Sequence, residues 1–249
     1  MGTYTKIAKY WDLIQSQIVN YEVMAQKLDM IFRQKGYKRI LELGCGTGIL
    51  LSQLAEKGYE CTGIDLDESM LYIARSKAKD KNLMIEYLQG DMREIEIDGQ
   101  FDVVICFQAM SFMQTDTDFI KVINSISRVI VPSGLFSFGV MNIDHKLDSG
   151  ETASAAMMDL AIEGENYKLV RINSMHRQGE FEQWTAVYFI EEKGLISIDI
   201  MKSNLRYYQR ENVSNILLTS GYESINVEYK RAANMEDGNM LFSCIRKNN

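Results

Sequence analysis

The chain has 249 residues, 46% hydrophobic and 24% charged, a balance that suits one large domain or one domain with an embedded subdomain and excludes long disorder. Its 27 basic and 34 acidic residues leave a net charge of −7, which argues against a surface that wraps nucleic acid. Cys45, Cys61, Cys106 and Cys244 lie at irregular spacings without a metal-ligand cluster, the start of the sequence lacks an apolar leader, and no window has the length of a membrane span, so a cytoplasmic chain with free thiols and no metal is expected.

Apolar residues from Leu13 to Phe32, spaced mostly three and four apart, predict a helix over 12–35 closed by Gly36. Residues 39–43 form a short apolar run that enters glycines, as a buried strand does. Thr47 is placed to cap a helix reaching Lys57. Residues 60–65 read as a second strand, and Asp67 caps a helix whose last turn carries Lys77 and Lys79. Strands are predicted over 83–88 and 101–107. A helix over 119–131 is broken by Pro132-Ser133-Gly134, and a fifth strand spans 135–141. This alternation builds βαβ units and a parallel sheet covered on both faces.

The pattern changes after Asn142. Residues 143–163 are mixed, with a short helical piece near 153–162. Strand-like segments follow over 166–176, 180–191 and 195–207, joined around Gly179 and Lys193-Gly194 as hairpins. They predict an antiparallel meander inserted into the α/β domain. A helix over 210–220 and strands over 222–230 and 239–246 complete the chain.

The sharpest signal is Leu41-Glu-Leu-Gly-Cys-Gly-Thr-Gly48. Glycines at alternate positions between a strand and a helix let a ligand lie against the main chain. A dinucleotide fingerprint would need glycine where Ile49 stands. Asp65 ends the second strand 21 residues after Gly44, where a carboxylate can accept both ribose hydroxyls and repels a 2′-phosphate. The loop holds no lysine or arginine to pair with a pyrophosphate. These features suit an adenosine that carries something other than phosphates.

Glu42-Leu-Gly-Cys-Gly-Thr-Gly48, Gly63-Ile-Asp-Leu-Asp-Glu-Ser-Met-Leu71, Gly90-Asp-Met-Arg93 and Phe101-Asp-Val-Val104, in that order, resemble the class I S-adenosylmethionine-dependent methyltransferases. The resemblance covers residues 1–142 and 205–246 and is strongest to small-molecule enzymes of the amino-sugar N,N-dimethyltransferase and glycine N-methyltransferase type. It implies an α/β fold with a Rossmann-like mixed seven-stranded sheet, last strand antiparallel, helices on both faces and an antiparallel β-meander cap. Residues 1–142 and 208–249 would form the cofactor domain and 143–207 the cap. It also implies S-adenosyl-L-methionine as cofactor, S-adenosyl-L-homocysteine as product, and a small-molecule acceptor, with neither nucleic acid nor membrane as partner.

By the same resemblance Gly44, Cys45, Gly46 and Gly48 pass the methionine part of the cofactor, and Glu42 orders that loop. Asp65 holds the ribose. Leu66 and Met70 serve equally well as adenine wall or as core. Asp91, with Met92 beside it, accepts from the adenine amino group or stands as a turn carboxylate. Phe107 and Gln108 end the fourth strand, where cofactor and acceptor meet. The segment Tyr4 to Asp12 resembles the family's lid, with Trp11-Asp12 where relatives carry Tyr-Asp, which puts any tyrosine role on Tyr4 or Tyr10.

Methyl transfer is an in-line displacement that needs alignment and exclusion of water more than a catalytic triad. Acceptor-side candidates are Tyr10, Asn142 and His145, the last of which reads either as loop surface or as active site. Trp184, Tyr188, Tyr207 and Tyr208 either cover an acceptor or pack the meander. The cap is a candidate homodimer surface. The competing reading is a cofactor-binding or regulatory protein on the same fold with no acceptor of its own.

Overall fold

The computed structural model describes residues 7–107, 109–143, 154–232 and 235–248. In chain order the elements are α1 (Trp11–Ser16), α2 (Tyr21–Lys35), β1 (Arg39–Leu43), α3 (Ile49–Glu56), β2 (Glu60–Asp65), α4 (Glu68–Asp80), β3 (Ile85–Gln89) and β4 (Phe101–Cys106). Then come α5 (Asp116–Val129), β5 (Ile130–Asn142), β6 (Ser154–Gly164), β7 (Tyr167–Gln178), β8 (Phe181–Glu192), β9 (Leu195–Tyr208), α6 (Arg210–Thr219), β10 (Tyr222–Ala232) and β11 (Met235–Arg246).

The order β3-β2-β1-β4-β5 is parallel throughout. β11 continues it antiparallel to β5, and β10 pairs antiparallel with β11, which gives the expected mixed seven-stranded sheet with its last strand reversed. Neighbouring residues of one strand enter opposite cores. Ile40, Val103 and Ile105 pack with Phe32, Leu51, Leu54 and Leu71 on one face, while Leu41, Val104 and Cys106 pack with Phe119, Ile123, Phe136 and Phe138 on the other. A strand buried on both faces is apolar without alternation, the pattern seen in 39–43 and 101–106.

The sheet forks at the end of β5. Met141 and Asn142 pair in parallel with Tyr207 and Tyr208 of β9, and β9-β8-β7-β6 then run as an antiparallel meander. The fork makes the whole an eleven-stranded sheet. At the β8–β9 hairpin Lys193 (φ 52°) and Gly194 (φ 78°) both take positive φ, the two-residue turn whose twist matches the strands it joins. The inner face of the meander carries Ala186, Tyr188, Ile190 and Met201, which pack on Ile7, Tyr10 and Ile14 of the N-terminal segment.

Three local expectations need correction. The helix over 12–35 is two helices, because Asn20 accepts the Val23 N–H (3.0 Å) and starts α2 afresh. Thr47 does not cap α3. Left-handed Gly48 precedes the helix, and the Thr47 hydroxyl donates to Asp12 instead. The helical piece near 153–162 is strand β6 over its described part. Its alanines, methionines and leucine are good helix formers, but propensity is a weak prior, and the antiparallel ladder against β7, with one irregularity between Met158 and Leu160, overrides it.

Candidate functional site

A cavity of about 480 Å³ lies across the C-terminal ends of the strands. In an open α/β sheet that is where the loops diverge and ligands bind. Gly44 to Thr47, leaving β1, form one wall together with Glu42, and Asp65 and Leu66, leaving β2, form the next. Gly90 to Arg93 follow β3, Phe107 and Ala109 follow β4, and Gly139 to Met141 come from β5.

The glycine loop is held from both sides. The N–H groups of Gly44 and Cys45 donate to the Ile64 carbonyl at 2.8 and 3.1 Å, and the Gly46 N–H donates to Asp65 Oδ2 at 2.8 Å. Gly44, Gly46 and Gly48 have φ of 67°, 54° and 69°. At Gly48 the constraint is also steric, since a Cβ there would stand 2.1 Å from the Tyr87 hydroxyl oxygen. The second oxygen of Asp65 accepts the Asp67 N–H at 2.9 Å. Burial raises the Asp65 pKa, against the lowering pull of the Asp67 and Gly46 N–H groups. With two N–H groups bound, the carboxylate keeps lone pairs for two further donors.

Glu42 is 8% exposed, and its Oε2 has no hydrogen-bond partner. Burial, reinforced by the charge of Asp65, raises its pKa to about 8. Beside it, burial holds the Cys45 thiol well above its usual range, so this cysteine is a protonated wall group.

Asp91 lies in the wall with its carboxylate turned to Arg93. The Arg93 Nε lies 3.0 Å from both oxygens, Nη2 lies 2.6 Å from Oδ2, and the Arg93 N–H lies 2.9 Å from Oδ1. That pairing lowers the Asp91 pKa. An adenine amino group could bind this carboxylate only if Arg93 gave up a contact. Met70 and Met92 are buried in the wall, whereas Leu66 is about half exposed at its rim.

The structure therefore brings together Glu42, Gly44, Cys45, Gly46, Asp65, Leu66, Met70, Asp91, Met92 and Phe107, with Gly48 setting the loop behind them. Tyr10 is placed elsewhere. Its ring lies 5.4 Å from that of Tyr167 beneath the meander, outside the cavity wall. Asn142 is buried one residue beyond Met141, which does line the cavity. Tyr4, Gln108 and His145 lie outside the described residues. Among the four aromatic candidates of the meander, Trp184 lines the cavity. Tyr188 belongs to the apolar cluster with Tyr10, Tyr207 donates to Glu182 (2.8 Å), and Tyr208 donates to the Met113 carbonyl (2.7 Å).

Sequence reasoning missed several wall residues. Trp11 lies over the glycine loop, 3.6 Å from where a Gly46 Cβ would stand. Its neighbour Asp12 accepts from Thr47 Oγ1 (2.5 Å) and pairs with Lys77 of α4, so the N-terminal segment is strapped to the loop it covers. Only the likeness of residues 4–12 to a lid hinted at this. Met113, Leu205 and Asn239 reach the cavity from three distant stretches of sequence. The register that opposes Asn239 to Met141 exists only once β11 pairs with β5.

The methyltransferase-domain family matches residues 40–134, the span from β1 into β5 that carries the glycine loop, Asp65 and Asp91. YqeM of Bacillus subtilis, named as a methyltransferase, is 41% identical over 139 residues, which cover 55% of this chain and 55% of that protein. The chain thus spans about half the length of that curated relative. Among solved structures, an S-adenosylmethionine-dependent methyltransferase from Clostridium acetobutylicum superposes with a TM-score of 0.80 at 16% identity, covering 98% of this chain and 99% of that one. The amino pentose methyltransferase CalS10 of Micromonospora echinaspora, solved with S-adenosylmethionine bound, gives 0.76 at 19% identity and covers 99% of each. Likeness at this level of identity establishes the fold, including the meander.

Proposed function

We propose, with residues 40–134 as a methyltransferase domain, that the chain is an S-adenosylmethionine-dependent methyltransferase acting on a small-molecule acceptor. The observation that carries the reading is the buried carboxyl of Glu42, one oxygen without a partner, beside a glycine loop open to a cavity at the strand ends. A buried acid of this kind suits a cationic ligand, which would draw it into the ionised form. Asp65 suits a ribose, because it retains lone pairs for two hydroxyl donors.

The cofactor supplies a methyl group bound to a positively charged sulfur. In this reading Glu42 and the main chain of Gly44, Cys45, Gly46 and Gly48 hold its amino-acid part. Leu66, Met70 and Met92 flank the base, with Asp91 and its Arg93 counter-ion at the edge, and Phe107 stands where the two halves of the cavity meet. Residues 1–142 with 208–249 form the cofactor domain, and 143–207 cap the acceptor. Asn142 and His145, near the end of β5, stay acceptor-side candidates and Tyr4 a lid candidate. Tyr10 supports the cap from beneath.

Calorimetry tests the reading. S-adenosylmethionine and S-adenosylhomocysteine should bind saturably in the micromolar range, and NAD should give no heat. NAD binding without a response to S-adenosylhomocysteine would overturn it. Transfer of labelled methyl to an acceptor panel, read by mass spectrometry, then tests the enzyme assignment.

A further inference from the structure

The cavity is chemically divided. Its carboxylates and its one arginine, among the described residues, sit at the ends of β1, β2 and β3. Across the β1–β4 junction the wall is made by Phe112, Met113, Met141, Trp184 and Leu205. These five side chains come from the loop after β4, from β5, from β8 and from β9. The wall is also built as one piece. The Tyr208 hydroxyl fixes the Met113 carbonyl, and the Gln114 amide donates to the Asn204 carbonyl at 2.8 Å, which ties the loop to β9. Of the polar groups on this side, among the described residues, the Ser111 hydroxyl already accepts the Met141 N–H at 2.9 Å. Asn239 stands at the rim opposite Met141.

We infer that the acceptor is an uncharged aromatic molecule whose ring lies against the wall of Phe112, Met113, Met141, Trp184 and Leu205. An indole face and thioether sulfurs attract a flat ring and adapt to its outline. A charged or heavily hydroxylated acceptor would lose hydration against these side chains without regaining its hydrogen bonds. The inference rests on the methyltransferase reading, because the other half of the cavity must be filled by the adenosyl ligand.

The test uses the full chain saturated with S-adenosylhomocysteine and titrated calorimetrically with 4-hexylphenol or D-glucosamine. 4-Hexylphenol should bind saturably and D-glucosamine should not. Trp184→Ala and, as a second variant, Leu205→Ala should each weaken 4-hexylphenol about tenfold or more, a loss of ~1.4 kcal/mol. Trp184→Phe should keep most of the affinity. All three should hold S-adenosylhomocysteine within about twofold of the parent, which also certifies their fold. Saturable D-glucosamine binding, no 4-hexylphenol binding, or undiminished 4-hexylphenol affinity in Trp184→Ala would each overturn the inference. Failure of the parent to bind S-adenosylhomocysteine would instead overturn the methyltransferase reading.

Discussion

Replacing Glu42 by glutamine keeps the shape of a buried side chain and removes its ability to ionise. The folded chain holds this carboxyl at a pKa of about 8, against an ordinary value of 4.5, with burial as the main cause and Asp65 as the second. The folded state therefore keeps a proton that the unfolded state releases, and stability falls as pH rises from the unfolded pKa toward the folded one. At pH 7 the chain is 2.5 units above the ordinary value of 4.5 and still below 8, so at about 1.4 kcal/mol per unit the carboxyl costs ~3 kcal/mol of stability. Glu42→Gln should be more stable than the parent by up to that amount at pH 7, and the advantage should fade as the pH drops below 4.5. Denaturant unfolding of both proteins across that range measures it. Parallel stability curves from pH 4 to pH 8 would refute the reasoning. Ligand binding should move the other way. At pH 7 the parent should release a proton on taking up S-adenosylmethionine, as seen by calorimetry in buffers of different ionisation heat, whereas the glutamine variant should release none and bind about tenfold or more weakly.

Other perturbations have separate readouts. Asp65→Asn should weaken S-adenosylhomocysteine about 10- to 100-fold, because each hydrogen bond to the charged group contributes ~1.5–3 kcal/mol, and it should lower the melting temperature as well, since its NH2 would face the N–H of Gly46 or Asp67. Gly48→Ala puts a Cβ 2.1 Å from the Tyr87 hydroxyl oxygen at a φ of 69°, so it should lower the melting temperature, and Tyr87→Phe should rescue only part of the loss, because two ring carbons still stand 2.7 and 2.9 Å from that Cβ and the backbone strain remains. Asp12→Ala leaves Lys77 without its partner and frees Thr47. Because Asp12 is partly exposed, the stability loss should be near 1 kcal/mol, with faster cofactor release in stopped-flow fluorescence. Both tryptophans of the chain, Trp11 and Trp184, stand in the cavity wall, so their emission reports on the site itself.

Much of the wall proposed to hold the cofactor was legible because it is local in sequence. Strand, glycine turn and helix follow one another from 39 to 56, and Asp65 ends the next strand in register beside them. The alternation of elements likewise exposed the parallel sheet. What stayed hidden depends on pairing across distance. β6 reads as helix because Met157, Met158 and Leu160 have no strong strand preference of their own, and only β7 makes them a strand. Thr47 has the chemistry of a cap, yet its partner is a carboxylate 35 positions earlier, brought near by the strap. Tyr10 and Trp11 are adjacent in sequence and diverge in space, one under the meander and the other over the glycine loop.

The N-terminal strap also sets an order of events during folding. Lys9 meets Glu192 across 183 positions, and Asp12 reaches Lys77 across 65. During synthesis the strap emerges ahead of β8, so the contact between Lys9 and Glu192 must wait until β8 has been made. Contacts that close such long loops form late, after the more local strand and helix pairs. The glycine loop and the Asp12 tether to Thr47 and Lys77 need nothing beyond α4, whereas the Lys9 anchor waits for β8, so a half-made chain holds its strap by one end only.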